Sequence, residues 1–198
     1  MRPGLRDQNE FLAGAGRAIC CEPIPLRNAA MSRLGPEHRS YLPIAREDLV
    51  RLAAIAAADR ADYFARYPDW ADLYAGRILC TALCQGAALH YLYGETGVQD
   101  FDVYTFFAEH PARRWYARRR AVYDFGDPKF GQSADRPHFV GRRVDVWGRA
   151  IPAPVGGDPT AAIRAYLAAG QTETARRLAQ KAVVLLHPVG AMGKAIWP

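Results

Sequence analysis

The chain lacks several features that would assign it to a class at once. Of its 198 residues only four are cysteine, too few to staple a chain of this length, which excludes a disulfide scaffold. Cys20 and Cys21 are adjacent, while Cys80 and Cys84 sit in an apolar stretch with no histidine nearby. A zinc site needs two thiolate pairs or added imidazoles that converge, so these cysteines read as buried, reduced thiols of a cytoplasmic protein. Long hydrophobic runs are missing as well. The longest, Leu52 to Ala58, falls far short of the roughly 20 residues that cross a bilayer, so no membrane partner is expected. Met1 to Asp7 is polar with no apolar centre, which does not suit a secretory signal. There is no internal repeat and no low-complexity segment.

What is present is a composition that can build a core: half the residues are apolar and 23% are charged. The formal charge of +6 is local. Between Arg113 and Arg149 stand ten basic residues against four acids, and the rest of the chain balances to zero. A basic field of this kind favours a polyanionic ligand, a nucleotide or a nucleic acid. The competing reading is a solvated face produced by compositional bias, because 23 of the 26 basic residues are arginine. Tyr116 and Tyr123 interleave with the arginines of residues 113–120. They would serve a nucleic acid by stacking, or else Trp115 and Val122 form the buried stripe of an ordinary exposed helix; both readings stand.

Residues 1–44 carry five prolines and no sustained apolar period, and read as an irregular arm. Residues 45–198 read as one domain. Leu49, Leu52, Ala53, Ala56, Tyr63 and Phe64 recur at helical steps from Arg46 to about Tyr67, where Pro68 ends the helix. A short helix or turn follows at Asp69 to Ala75. Arg77 to Gly86 suits a buried strand, and Ala87 to Tyr93 a short helix closed by Gly94. Val98 to Phe107, rich in β-branched and aromatic residues, is the clearest strand. Pro111 to Arg120 looks helical and basic, and a turn-rich stretch runs from Asp124 to Ser133. Arg142 to Gly148 alternates as a strand, with Val144 and Val146 on one face and Arg143, Asp145 and Trp147 on the other. Asp158-Pro159 starts a helix that stops at Gly170. Thr172 to Leu186 is expected to be a last helix, packed through Leu178, Ala182, Leu185 and Leu186. The order is mixed α/β, a small central sheet covered by helices.

Three acids stand out by position. Asp100 and Asp102 are two apart on one strand, so both project to the same face. Their charges are costly at that separation unless a cation or proton intervenes. Asp145 is the only acid on the later strand, and it joins the pair if the two strands are neighbours. Three carboxylates on a rigid sheet suit Mg²⁺, which keeps some waters and takes further ligands from phosphates. Gly86-Ala87 stands where an apolar strand meets a short helix, where backbone N–H groups can meet phosphate. Twelve residues separate Ala87 from Asp100.

Gln85-Gly86-Ala87, the gap, Asp100-Phe101-Asp102-Val103 and then Val144-Asp145-Val146 resemble the nucleotidyltransferase fold superfamily. Its motif is a Gly-Gly or Gly-Ser turn, an Asp-x-Asp strand and a later acidic strand. The match covers about residues 77–148, and the length and short helix are similar to those of the antibiotic- and toxin-type members, without fixing a branch. Ala87 stands where the family carries glycine or serine, and Gln85 where it carries an apolar residue. The resemblance implies a core over about 77–150 and a C-terminal helical appendage over about 158–187. It also implies transfer of a nucleoside monophosphate from a nucleoside triphosphate to a hydroxyl on a small molecule, an RNA end or a protein. Asp100, Asp102 and Asp145 would hold two Mg²⁺ ions, with Mn²⁺ as a substitute, and Asp145 would help deprotonate the acceptor. Gly86 and the Ala87 amide would cradle the terminal phosphates, with Arg142 and Arg143 offsetting their charge.

Other readings are weaker or compete. Arg142 and Arg143 point to opposite faces of a strand, so at most one serves the site, and Arg143 could simply pair with Asp145. His90 reads as a packing residue. Asp124-Phe125-Gly126 copies a kinase triplet without the upstream loop that would give it meaning, and Asp127-Pro128-Lys129 cannot form the strand a nuclease needs. A non-catalytic nucleic-acid-binding module using the 113–149 surface, or a scaffold or antitoxin-like partner on the same fold, remains the alternative.

Overall fold

The structure is a computed structural model that describes residues 38–113, 115 and 120–198. The expected arm therefore lies outside the described residues except for 38–44. So do Tyr116 and half of the expected basic helix over 111–120, residues 114 and 116–119.

Among the described residues, six strands form one mixed sheet in the order β3-β4-β2-β1-β5-β6. They are β1 (Ile78–Cys84), β2 (Phe101–Ala108), β3 (Arg120–Asp124), β4 (Arg143–Ile151), β5 (Ala182–His187) and β6 (Ala195–Trp197). The helices are α1 (Arg46–Arg66), α2 (Pro68–Tyr74), α3 (Gln85–Tyr93), α4 (Pro159–Ala169) and α5 (Glu173–Ala179). The mixed α/β class expected from the sequence is the observed one, and no helix among the described residues is long and apolar enough to cross a membrane.

The sheet has two apolar faces because its central strands alternate. Phe101 and Val103 of β2, Val144 and Val146 of β4, and Val184 and Leu186 of β5 face Leu49, Leu52 and Ala56 of α1. Tyr104 and Phe106, with Val183 and Leu185, face Ile163 and Leu167 of α4 and Leu178 of α5. Asp102, Asp145 and Trp147 alternate with the α1-facing residues and so belong to the second face, at the end that α4 and α5 leave open. A third cluster of Tyr74, Phe107 and Trp115 closes the far end under α2.

Local signals explain the element ends. The Asp158 side chain accepts from the Thr160 N–H at 2.9 Å and Gly170 takes the left-handed conformation, so α4 begins and ends where the sequence placed it. Gly94 closes α3 in the same way. Ser40 pairs with Val98 through backbone bonds, and His90 holds the Leu42 carbonyl oxygen and the Gly97 N–H, which fixes residues 38–44 to the body. His90 is thus a buried packing and hydrogen-bonding residue, as its position suggested.

The expected helix from Thr172 to Leu186 is corrected. Helix α5 stops at Ala179, and the chain becomes β5, antiparallel to β1 in the middle of the sheet. Residues 182–186 are buried on both faces. A strand covered on both sides reads as a continuous apolar run, and the spacing of Leu178, Ala182, Leu185 and Leu186 imitated a helical stripe. The helical appendage is therefore only α4 and α5. Strands β3 and β6 were not expected at all.

Candidate functional site

Strands β2 and β4 run parallel and in register, and the register makes Asp102 the direct partner of Asp145 and Tyr104 that of Trp147. Asp100 lies one residue before β2, on the same side as Asp102. The three carboxylates all line one cleft of about 390 Å³. Gly86 and Ala87 line one wall, and Arg143 reaches across from β4. Of the seven residues singled out in the sequence, the cleft gathers six.

Arg142 is the exception. It is 1% exposed, and its Nε donates to the Phe130 carbonyl at 2.7 Å and its Nη1 to that of Gln132 at 3.2 Å. Nη2 donates to the His38 carbonyl. Its place as a phosphate ligand is corrected: the alternation that aims Arg143 into the cleft sends Arg142 to the other face, where it ties the 128–133 loop to residue 38.

The carboxylates are held by arginines. Arg143 Nη2 donates to Asp100 Oδ2 at 2.5 Å, Nη1 pairs with Asp135, and Nε faces Asp145 Oδ1 at 3.5 Å without hydrogen-bond geometry. Arg120 Nη2 donates to Asp145 Oδ2 at 2.7 Å. Burial works against the Arg143 charge, but the bond to Asp100 and the nearness of Asp145 and Asp135 hold the guanidinium above its usual value. Asp145 is 4% exposed, and its Oδ1 has no hydrogen-bond donor among the described residues.

Asp102 is the acid least provided for. The Trp147 indole N–H donates to Oδ1 at 3.3 Å. Burial, and then the charges of Asp100 and Asp145, push its carboxyl up to about 7. Like charges gathered in a partly dry place either bind a proton or need a cation. Burial also raises the neighbouring thiols, Cys80 up to about 12 and Cys84 well above its usual value, so neither is a nucleophile.

The turn between β1 and α3 forms one wall of the cleft. Helix α3 has no side-chain cap at its N-terminus, which leaves the first-turn N–H groups for water or an anion. Gln85 holds a φ of 62°, unusual for a residue with a side chain. The cost, of order 1 kcal/mol, is met by the bridge that pairs Gln85 with Ala182. Gln85 lines the cleft.

Several lining residues were missed in the sequence. Arg120 opens β3, an unexpected strand, and its guanidinium also lies 5.5 Å from the centre of the Trp147 ring. Arg177 and Lys181 line the wall beyond Gly86; they were assigned to one continuous helix, and only the strand reading of residues 182–186 brings Lys181 beside Gln85. Trp147, stacked on Tyr104 at 5.8 Å between centroids, was legible from its alternation with Asp145. Arg39 bonds the Thr96 carbonyl and the Gln99 side chain at the cleft mouth.

The cleft therefore carries five cationic side chains, Arg39, Arg120, Arg143, Arg177 and Lys181, over three acids. Positive and negative side chains thus share one cleft. Among the described residues, no three histidine, cysteine, aspartate or glutamate side chains are gathered as a ready metal cluster; in this arrangement arginine nitrogens take that part. No family model, no curated protein and no solved structure matches the chain.

Proposed function

We propose that the cleft binds a nucleoside triphosphate with Mg²⁺ and transfers the nucleoside monophosphate to a hydroxyl acceptor in the cytoplasm. The observation that carries this reading is the in-register pairing of Asp102 with Asp145, with Asp100 beside them, facing the uncapped first turn of α3.

The donor chemistry fits Mg²⁺. Three carboxylates supply hard oxygens, Asp145 Oδ1 has no donor among the described residues, and Asp102 is the acid that a cation would return to its charged form. Asp100, Asp102 and Asp145 would hold the metal, with Mn²⁺ as a substitute. When bound, it neutralises charge on the attacking and leaving oxygens. For that, Arg143 and Arg120 leave the carboxylates and turn to the phosphates, which their planar forks suit.

The remaining work belongs to the chain. Gly86 and the Ala87 N–H hold the terminal phosphates. Asp145, freed from Arg120, accepts the proton of the acceptor hydroxyl. The acceptor oxygen forms its bond to the α-phosphorus as the bond to the β-phosphate oxygen breaks, and pyrophosphate leaves with the electron pair. The acceptor, a small molecule, an RNA end or a protein, reaches the cleft from its open side.

Calorimetry with ATP, GTP, CTP and UTP, with and without Mg²⁺, on the wild type and on Asp100→Asn/Asp102→Asn tests the reading. Metal-dependent binding of at least one triphosphate, lost in the double variant, supports it. The rival is a non-catalytic nucleic-acid-binding or scaffold protein, favoured by the engagement of Asp100 and Asp145 with arginine. It predicts steeply salt-dependent binding of RNA or DNA that ignores both Mg²⁺ and the acids.

A further inference from the structure

The positive charge of the cleft is unevenly committed. Arg143 and Arg120 are tied to Asp100 and Asp145. Among the described residues Arg177 pairs only with Glu173, at 3.9 Å and in solvent, which is worth little. Lys181 has no hydrogen bond or ion pair through its ammonium among the described residues. It is not loosely placed, though. Its neighbour Ala182 bridges Gln85, so the backbone fixes Lys181 beside the β1–α3 turn. A Cβ on Gly86 would come within 3.9 Å of Nζ. An ammonium unpaired among the described residues, an uncapped helix turn and a second cation thus line one corner of the cleft.

We infer that Lys181, assisted by Arg177, clamps the terminal phosphates of the triphosphate at this corner. The inference rests on the proposed function and gives it an orientation. The α-phosphate lies at the acids and the γ-phosphate at Lys181. Two consequences separate it from generic attraction. A ligand with one phosphate reaches the acids and Arg143 but not Lys181. A bare polyphosphate chain, with no base or sugar, reaches both.

The test uses inorganic tripolyphosphate, the triphosphate that binds most tightly and its monophosphate, each with Mg²⁺, measured by calorimetry. Lys181→Ala should weaken the tripolyphosphate and the nucleoside triphosphate by about tenfold or more, the loss expected for a hydrogen bond to a charged group. The monophosphate should change by less than about twofold. Lys181→Arg should recover most of the loss, and Arg177→Ala should show a smaller one of the same pattern. Unfolding curves of Lys181→Ala should match the wild type, since the side chain is exposed and unpaired. In turnover the KM for the triphosphate should rise with Lys181→Ala. If the wild type binds no triphosphate, the proposed function fails and the clamp with it. If the wild type binds and Lys181→Ala binds equally well, or loses monophosphate to the same degree, the clamp alone is refuted.

Discussion

Replacing Asp102 with asparagine should stabilise the protein at neutral and alkaline pH in the absence of divalent cations, while ending metal-dependent binding. Burial and the neighbouring Asp100 and Asp145 push the Asp102 carboxyl from 3.8 up to about 7. The folded chain thus keeps a proton that the unfolded chain releases. Between about pH 4 and pH 7 the folded state binds more protons, so wild-type stability falls as pH rises through that window and is level above it. Each pH unit of displacement is worth about 1.4 kcal/mol, which sets a ceiling of ~4 kcal/mol. Relaxation and water entry bring the expected figure to about 2–4 kcal/mol. Asparagine has the same shape, carries no charge and can still accept the Trp147 indole N–H, so it escapes this penalty. For a chain of this size that corresponds to roughly 5–15 °C in Tm. Urea unfolding in EDTA, followed by circular dichroism from pH 4 to pH 9, reads it directly. The gap between variant and wild type should open above about pH 4, widen to about pH 7 and then stay constant. Identical pH dependence in the two proteins, or a variant less stable at pH 8, would refute the reasoning.

Three further outcomes follow from the same structure. Arg142→Met removes three hydrogen bonds to carbonyl groups from a buried guanidinium and should cost about 2–4 kcal/mol in urea unfolding. Triphosphate affinity by calorimetry should change by less than about twofold, because Arg142 does not line the cleft. A methyl group on Gly141 would run into the Asp127 backbone carbonyl. Gly141→Ala should therefore lower stability by about 1–3 kcal/mol, measured as a fall in Tm. Tyr123→Phe takes a 2.8 Å hydrogen bond from Asp59, which is 2% exposed, and should destabilise by about 1–3 kcal/mol in the same unfolding assay.

How much of this could be read in the sequence depends on whether a signal is local. Helix α4 was legible end to end because Asp158, Pro159 and Gly170 act within one turn of themselves. Strand β4 was legible because valine alternates with polar residues on a half-covered sheet, and the same alternation separated Arg143 from Arg142. Strand β5 was not, because burial on both faces erases alternation and leaves only an apolar run. The acids were found by type and spacing, yet what joins them is the parallel register of β2 and β4, a pairing between segments more than forty residues apart in the chain. Arg120 and Lys181 failed for the same reason. Each reaches the cleft from a strand whose neighbour lies elsewhere in the sequence, β4 for Arg120 and β1 for Lys181.

The arginines on the carboxylates bear on how three acids can share one cleft. Three acids at the end of two adjacent strands repel one another. Arg143, whose charge its acidic partners reinforce, and Arg120 supply opposing charge inside the chain through Asp100 and Asp145. These two side chains also stand where a polyanion would arrive. On the proposed reading they exchange one anion for another, carboxylate for phosphate, while the acids exchange guanidinium for metal. Each exchange leaves the other half of the pair uncompensated unless both occur. On that reading the charges within the cleft would oppose binding of a bare cation or a bare anion and favour the two together, a coupling that would belong to the site as a whole and to no single residue.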